Sequence, residues 1–295
     1  MGLILYKKKI ANYLNHDQKA EELGFDNTRL SYIPEYFSSY VEQERIPNFV
    51  CLVSRFGEVA HYSHQGFKNI ESKEKIDNET IFRIYSMTKP ITSVAIMMLY
   101  ERGLIRLEHE LYRYLPEFKN TEVWVTGDIN NFKTKPLNNP ILIRDLLTHT
   151  AGFTYDFMLG HPAIGLYRKN GLHDYKNIET QEEMDLEEFC NKLSRLPLLF
   201  DPGEKWHYSC SIDILGRVVE VVSGMKLDAF FRENIFNPLE MLDTGFNVEK
   251  DKLDRFSDCY QTMLGSKKKN MTLSHVAGND EFSKSRNFLS GGGGL

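Results

Sequence analysis

The chain has 295 residues, 41% of them hydrophobic and 26% charged, an ordinary globular composition with enough length to bury a sizeable core. With 36 Lys and Arg against 41 Asp and Glu the net charge is −5 and the pI about 6.0, which excludes the electrostatic footprint of a general nucleic-acid binder. Mean hydropathy is −0.41 and no apolar run approaches the ~20 residues that span a membrane, so transmembrane, collagen-like and disordered readings fall away.

Met1-Gly2-Leu3-Ile4-Leu5-Tyr6 followed by Lys7-Lys8-Lys9 does not read as a secretory signal, because the apolar stretch is short and the basic residues follow it. Tyr6 stands where a myristoylation signal wants Ser or Thr. The scattered Cys51, Cys190, Cys210 and Cys259 read as free thiols of a cytoplasmic protein, and without a C-x-x-C pair they offer no zinc ribbon.

In chain order, residues 31–43 have a helical apolar spacing through Ile33, Tyr36, Phe37 and Tyr40, with Pro34 acceptable only in the first turn. Phe49–Ser54 and Val59–Ser63 read as strands of a hairpin turning at Arg55-Phe56-Gly57-Glu58, and Ile81–Ile84 as a third strand. Ile91, Val94, Ala95, Met98 and Leu99 then define the buried face of a helix that Gly103 stops. Residues 120–140 read as a long surface loop, Ile141–Thr148 as a helix closed by Gly152, and 160–182 as irregular. Leu186–Leu193, Ile212–Val222 up to Gly224, and Leu227–Ile235 read as helices, with the sheet resuming near Asp243. Strands do not alternate with helices in a parallel rhythm, so the expected class is α/β (α+β): an antiparallel sheet flanked by helices plus a mostly helical insertion. The expected division is 1–84 for the N-terminal helix and first strands, 85–240 for the helical part, and 241–295 for an incomplete return to the α/β part.

Chemistry concentrates at Tyr85-Ser86-Met87-Thr88-Lys89-Pro90, where a strand runs into a helix. Ser86 and Lys89 share one helix face, and an amine beside a hydroxyl can accept its proton. The helix start offers N–H groups to an oxyanion, while the plain reading of Ser86 is an N-cap. A second cluster, Asp201-Pro202-Gly203-Glu204-Lys205-Trp206-His207-Tyr208-Ser209-Cys210, is either a loop packing its rings on the core or the source of a phenol, Tyr208, sharing a proton with Lys89.

Ser86-x-x-Lys89, Leu146-Leu147-Thr148-His149-Thr150-Ala151-Gly152-Phe153 and Pro202-Gly203-x-x-Trp206-x-Tyr208-Ser209 together resemble the serine β-lactamase-like hydrolases: class C β-lactamases, DD-peptidases and family VIII carboxylesterases. Asp213-x-Leu215-Gly216, Ile235-Phe236-Asn237-Pro238-Leu239, Met241-x-Asp243-Thr244-Gly245-Phe246 and the terminal Ser290-Gly291-Gly292-Gly293-Gly294-Leu295 extend the likeness over roughly 30–295. The resemblance implies the family's β-lactamase/transpeptidase-like fold, Ser86 as acylated nucleophile, Lys89 as its activator, Tyr208 as proton shuttle, and no cofactor or metal. Tyr85, Phe153, Tyr155 and Cys210 are the candidate substrate-binding positions. Cys210 replaces the Asn of the β-lactamase Tyr-x-Asn motif and cannot supply its amide, which favours a small-molecule ester over a lactam. The family's third motif falls beyond the glycine run, so the chain is expected to be a fragment of a longer reading frame with feeble activity or none. The alternatives are a β-lactamase or D-Ala-D-Ala carboxypeptidase, and a non-catalytic binding relative.

His149 between threonines reads as structural, and His61 and His64, three apart on a strand, as surface residues rather than a metal pair. The terminal glycines, with no Gly-Lys-Ser/Thr after them, read as permitting close backbone packing beside the site rather than as a phosphate loop. Lys267-Lys268-Lys269 reads as a solvated loop.

Overall fold

The computed structural model describes residues 17–172, 175, 182–262, 271–275 and 280–295, so the readings of Met1–Lys9 and of Lys267–Lys269 lie outside the described residues. In chain order the main elements are α1 (Asp17–Glu22), α2 (Asn27–Glu42), β1 (Asn48–Arg55), β2 (Glu58–Asn69), β3 (Glu74–Lys75), α3 (Thr88–Glu101), β4 (Glu122–Asp128) and β5 (Asn131–Pro136). There follow α4 (Ile143–Leu147), α5 (Ile164–Lys169), α6 (Leu186–Leu193), α7 (Ser211–Ser223), α8 (Leu227–Phe231), β6 (Cys259–Thr262) and β7 (Met271–His275). The chain divides into two compact units: the described residues of Met1–Arg83 with Val248–Lys284, and Ile84–Asn247 with Ser285–Leu295.

The first unit holds the antiparallel sheet β1-β2-β3 and the β6-β7 pair. The β1–β2 turn closes with Arg55 opposite Glu58, and Phe56 (φ 55°) and Gly57 (φ 77°) both adopt the left-handed backbone that a two-residue hairpin loop requires. Asp26 caps α2 by accepting the Arg29 N–H at 3.1 Å, so this helix starts four residues before the expected position. Pro34 therefore sits in the helix interior, where it leaves the Leu30 carbonyl without an i+4 donor. Phe37 packs on Phe49 at 5.3 Å, and Ala20, Leu30 and Ala60 form a small apolar cluster. The third expected strand, Ile81–Ile84, reduces to one parallel bridge from Ile81 to Phe256, and strand pairing resumes at Cys259 rather than near Asp243. His61 and His64 are both half-buried on β2, and no three-residue metal cluster exists among the described residues.

The second unit carries one large apolar core, in which Ile96, Leu99, Leu215, Val218, Phe230 and Phe231 are almost wholly buried. The buried face of α3 is Thr88, Thr92, Ala95, Ile96 and Leu99, while Val94 is exposed. Apolar periodicity could not find the two threonines, because what buries them is hydrogen bonding: Thr92 Oγ1 donates to the Gly291 carbonyl at 2.7 Å, and Thr88 Oγ1 accepts the Leu295 N–H at 3.1 Å. Pro90 falls in the opening turn of α3, where little bonding is forfeited.

The expected loop at 120–140 is instead the β4–β5 hairpin. Asp128 Oδ1 accepts from the N–H groups of Asn130 and Asn131, at 2.8 and 3.1 Å, and Trp124 stacks on Phe132 at 4.7 Å. Helix α4 is closed by His149 rather than Gly152. His149 is left-handed (φ 56°), its N–H bonds to the Leu146 carbonyl and the Thr150 N–H to that of Asp145, a Schellman arrangement with a histidine in the usual glycine position.

Candidate active site

Ser86 lies on a 3₁₀ turn, Tyr85–Met87, that runs directly into α3. Tyr85 precedes it with φ 43°, a left-handed backbone that a bulky residue adopts only when its surroundings hold it. Those surroundings are the last residues described: the Ile84 N–H bonds to the Leu295 carbonyl at 3.0 Å, and the Leu295 N–H to Thr88 Oγ1. The turn is thus clamped on both sides of Ser86. Lys89, one helical turn on, brings Nζ to 3.2 Å from Ser86 Oγ and to 2.5 Å from the Gly292 carbonyl oxygen.

Tyr208 arrives from a distant segment held against residues 149–154. The His207 N–H donates to the His149 carbonyl at 2.9 Å, the Cys210 N–H to that of Thr154 at 3.4 Å, and Thr154 Oγ1 is 2.9 Å from His207 Nε2. Tyr208 is fixed between these bonds with its hydroxyl 2.7 Å from Ser86 Oγ, across 122 positions of sequence. Its ring lies 4.7 Å from Lys89 Nζ. Ser86, Lys89 and Tyr208 therefore meet within hydrogen-bonding reach.

Aromatic rings continue outward from this group. Tyr208 packs against His149 at 4.9 Å, Tyr155 at 5.4 Å and Trp206 at 6.5 Å, and Tyr155 stacks on Phe157 at 4.8 Å. Burial, with Lys89 adding to it, lowers the His149 imidazole to about 4, so the ring beside Tyr208 is neutral near pH 7. Trp206, Phe157, Tyr85 and Met87 are exposed.

The other candidate positions separate. Tyr85 is at the surface beside Ser86, and Tyr155 is buried against Tyr208 with its phenol driven upward by burial and by Asp213. Phe153 is only 1% exposed and packs edge-on against Phe118, which makes it a core residue. Cys210 is likewise in the core at the start of α7, and burial pushes its thiol well up. One feature escaped the sequence reading. Asp213, quoted only as part of a motif, is fully buried and accepts from Ser290 Oγ at 2.6 Å and the Gly292 N–H at 3.0 Å. The glycine run packs closely beside this group, as its sequence led one to expect: a side chain at Gly291 would come within 2.8 Å of the Ile212 carbonyl, and one at Gly294 within 2.7 Å of the Phe246 ring.

A hydroxyl, an amine and a phenol in one bonded group suit acyl transfer. Residues 33–294 match the β-lactamase family model. Esterase EstB of Burkholderia gladioli is 34% identical over 210 residues, which are 71% of this chain and 50% of EstB. ML-236A carboxylate methylbutanoyltransferase of Penicillium citrinum is 30% identical over 233 residues, 75% of this chain and 53% of that enzyme. The solved structure of EstCE1, described as a hydrolase with promiscuous acyltransferase activity, aligns with a TM-score of 0.73 at 27% identity, covering 94% of this chain and 69% of its own. The chain spans about half the length of the curated relatives it matches. No described helix is long and apolar enough to cross a membrane. With its mixed α/β, transpeptidase-like fold and its family-wide match, the chain belongs to the β-lactamase family.

Proposed function

We propose that this protein is a serine hydrolase of carboxylic esters that works through an acyl-enzyme on Ser86. The single observation that carries the reading is the bonded group Tyr208–Ser86–Lys89, at 2.7 and 3.2 Å. Ser86 Oγ attacks the ester carbonyl as its proton passes to the Lys89–Tyr208 pair. The oxyanion is met by N–H groups at the helix start, the Ser86 N–H among them. Collapse breaks the acyl–oxygen bond, and the departing alkoxide takes the proton from Tyr208. Water then gives a proton to the same pair and attacks the acyl carbonyl, and Ser86 Oγ leaves with that proton.

The names of the relatives support ester chemistry, and an alcohol in place of water would make the same acyl-enzyme an acyltransferase. Cys210, buried where a β-lactamase carries its substrate-binding amide, favours esters over lactams. The test is a fluorophosphonate probe followed by intact mass, with p-nitrophenyl acetate and nitrocefin turnover alongside. One adduct on Ser86, absent from Ser86→Ala, is the expected result, with ester turnover exceeding nitrocefin turnover. Equal labelling of Ser86→Ala overturns the assignment, and a well-folded wild type that takes no adduct makes the chain a binding relative.

A further inference from the structure

Asp213 is a buried acid that the chemistry above leaves without a task. It stands in the first turn of α7 with no exposed surface. A carboxyl group there is costly unless donors surround it. Burial pushes Asp213 upward, and the bonds from Ser290 and Gly292 pull it back. Both donors reach Oδ1, from Ser290 Oγ at 2.6 Å and the Gly292 N–H at 3.0 Å, while the Tyr155 hydroxyl reaches Oδ2 at 3.5 Å.

These donors belong to the turn that also serves Lys89. The N–H of Gly292 is held by Asp213, and its carbonyl oxygen accepts from Lys89 Nζ. No side chain fits at this position, since a Cβ on Gly292 would lie 2.7 Å from Asp213 Oδ2 and 2.9 Å from the Tyr155 hydroxyl. The neighbouring Gly291 carbonyl is tied to α3 through Thr92. The turn is therefore registered on α3 and α7 together. A lysine amine on its four-carbon stem has many rotamers, and one fixed acceptor selects among them.

We propose that Asp213 is a positioning residue: by holding the Gly292 N–H it sets the Gly292 carbonyl, which aims Lys89 Nζ at Ser86 Oγ. This rests on the reading of Lys89 as the activator of Ser86. Asparagine at 213 would keep both bonds on its Oδ1 and turn its amide toward the Tyr155 oxygen, whereas alanine offers no acceptor.

The experiment measures the kinetics of Ser86 labelling by the fluorophosphonate in wild type, Asp213→Asn, Asp213→Ala, Gly292→Ala and the Asp213→Ala/Gly292→Ala double variant of the full chain. Asp213→Ala is expected to slow the maximal labelling rate about 10- to 100-fold, the worth of a lost charged hydrogen bond, with half-saturation unchanged. Asp213→Asn stays within about threefold, and the double variant is no slower than the slower single one, because both changes release one turn. A folded Asp213→Ala that labels at the wild-type rate overturns the proposal, as does an Asp213→Asn as slow as Asp213→Ala. If Asp213→Ala does not fold, Gly292→Ala and Asp213→Asn carry the comparison. A wild type that takes no probe sinks the acyl-enzyme reading instead, and the positioning claim is then decided by the Lys89 15Nζ resonance. That resonance should hold in Asp213→Asn and move in Gly292→Ala, and its failure to move overturns the claim.

Discussion

Lys89 Nζ lies 2.5 Å from the carbonyl oxygen of Gly292, and that bond leaves it facing the Ser86 hydroxyl 3.2 Å away. Lys89→Met removes the amine and keeps the length of the stem, and Lys89→Arg keeps a cation that cannot take a proton. Both should slow labelling of Ser86 by about 10²–10⁴, the usual worth of a general base, as read by time-resolved intact mass. Wild-type rates in either variant would remove Lys89 from the mechanism.

Tyr208→Phe separates proton transfer from packing. The ring contacts with His149, Tyr155 and Trp206 survive, and only the hydroxyl 2.7 Å from Ser86 Oγ is lost. Thermal unfolding should therefore stay near the wild-type midpoint while ester turnover falls by about 10²–10⁴. A large loss of stability with little change in turnover would make Tyr208 a core ring.

His149 makes stability depend on pH. In the unfolded chain its imidazole takes a proton near its ordinary value of 6.5, and in the folded chain only near 4, because burial and then Lys89 oppose the charge. Between these values the unfolded state binds more protons, so the stability present above about 6.5 is lost as pH falls toward 4. His161 and His207, also lowered by burial, act in the same direction. Asparagine tolerates the left-handed backbone at 149 and does not titrate. Melting curves at pH 7 and pH 5 should show a smaller drop in His149→Asn than in wild type, and an equal drop would place the pH sensitivity elsewhere.

Phe153 and Phe157 should part company. Phe153, buried against Phe118, is expected to lose about 3–5 kcal/mol on truncation to alanine. Phe157, 59% exposed and stacked on Tyr155, should cost little stability on truncation and instead raise KM for bulky esters. Denaturant titration together with a series of acyl chain lengths checks both halves.

The contact of Ser86 with Lys89 was legible because it is local: three positions apart where a turn runs into a helix, they share a face. Tyr208 was legible through the motif around it, although only the folded chain brings its hydroxyl to Ser86. Thr88 and Thr92 were not, since a periodicity built on apolar residues passes over hydroxyls buried by distant backbone partners. For the same reason the burial and bonding of Asp213 were not visible, its donors standing 77 and 79 positions away. The β4–β5 hairpin was hidden by the Asn, Thr and Lys content of residues 120–140, although Trp124 and Phe132 stack across it. His149 closing α4 ran against the preference for glycine in a left-handed cap, and Gly152 drew the assignment three residues too far.

The clamp around Ser86 has a temporal meaning. Leu295 bonds to Thr88 across 207 positions and to Ile84 beyond it, so the unfavourable backbone of Tyr85 can be held only after residue 295 has emerged from the ribosome. The helices of the core can collapse earlier on contacts nearer in sequence. The observed geometry around Ser86 therefore waits on residues more than 200 positions downstream, and a nascent chain that has not reached them lacks the bonds that hold this turn.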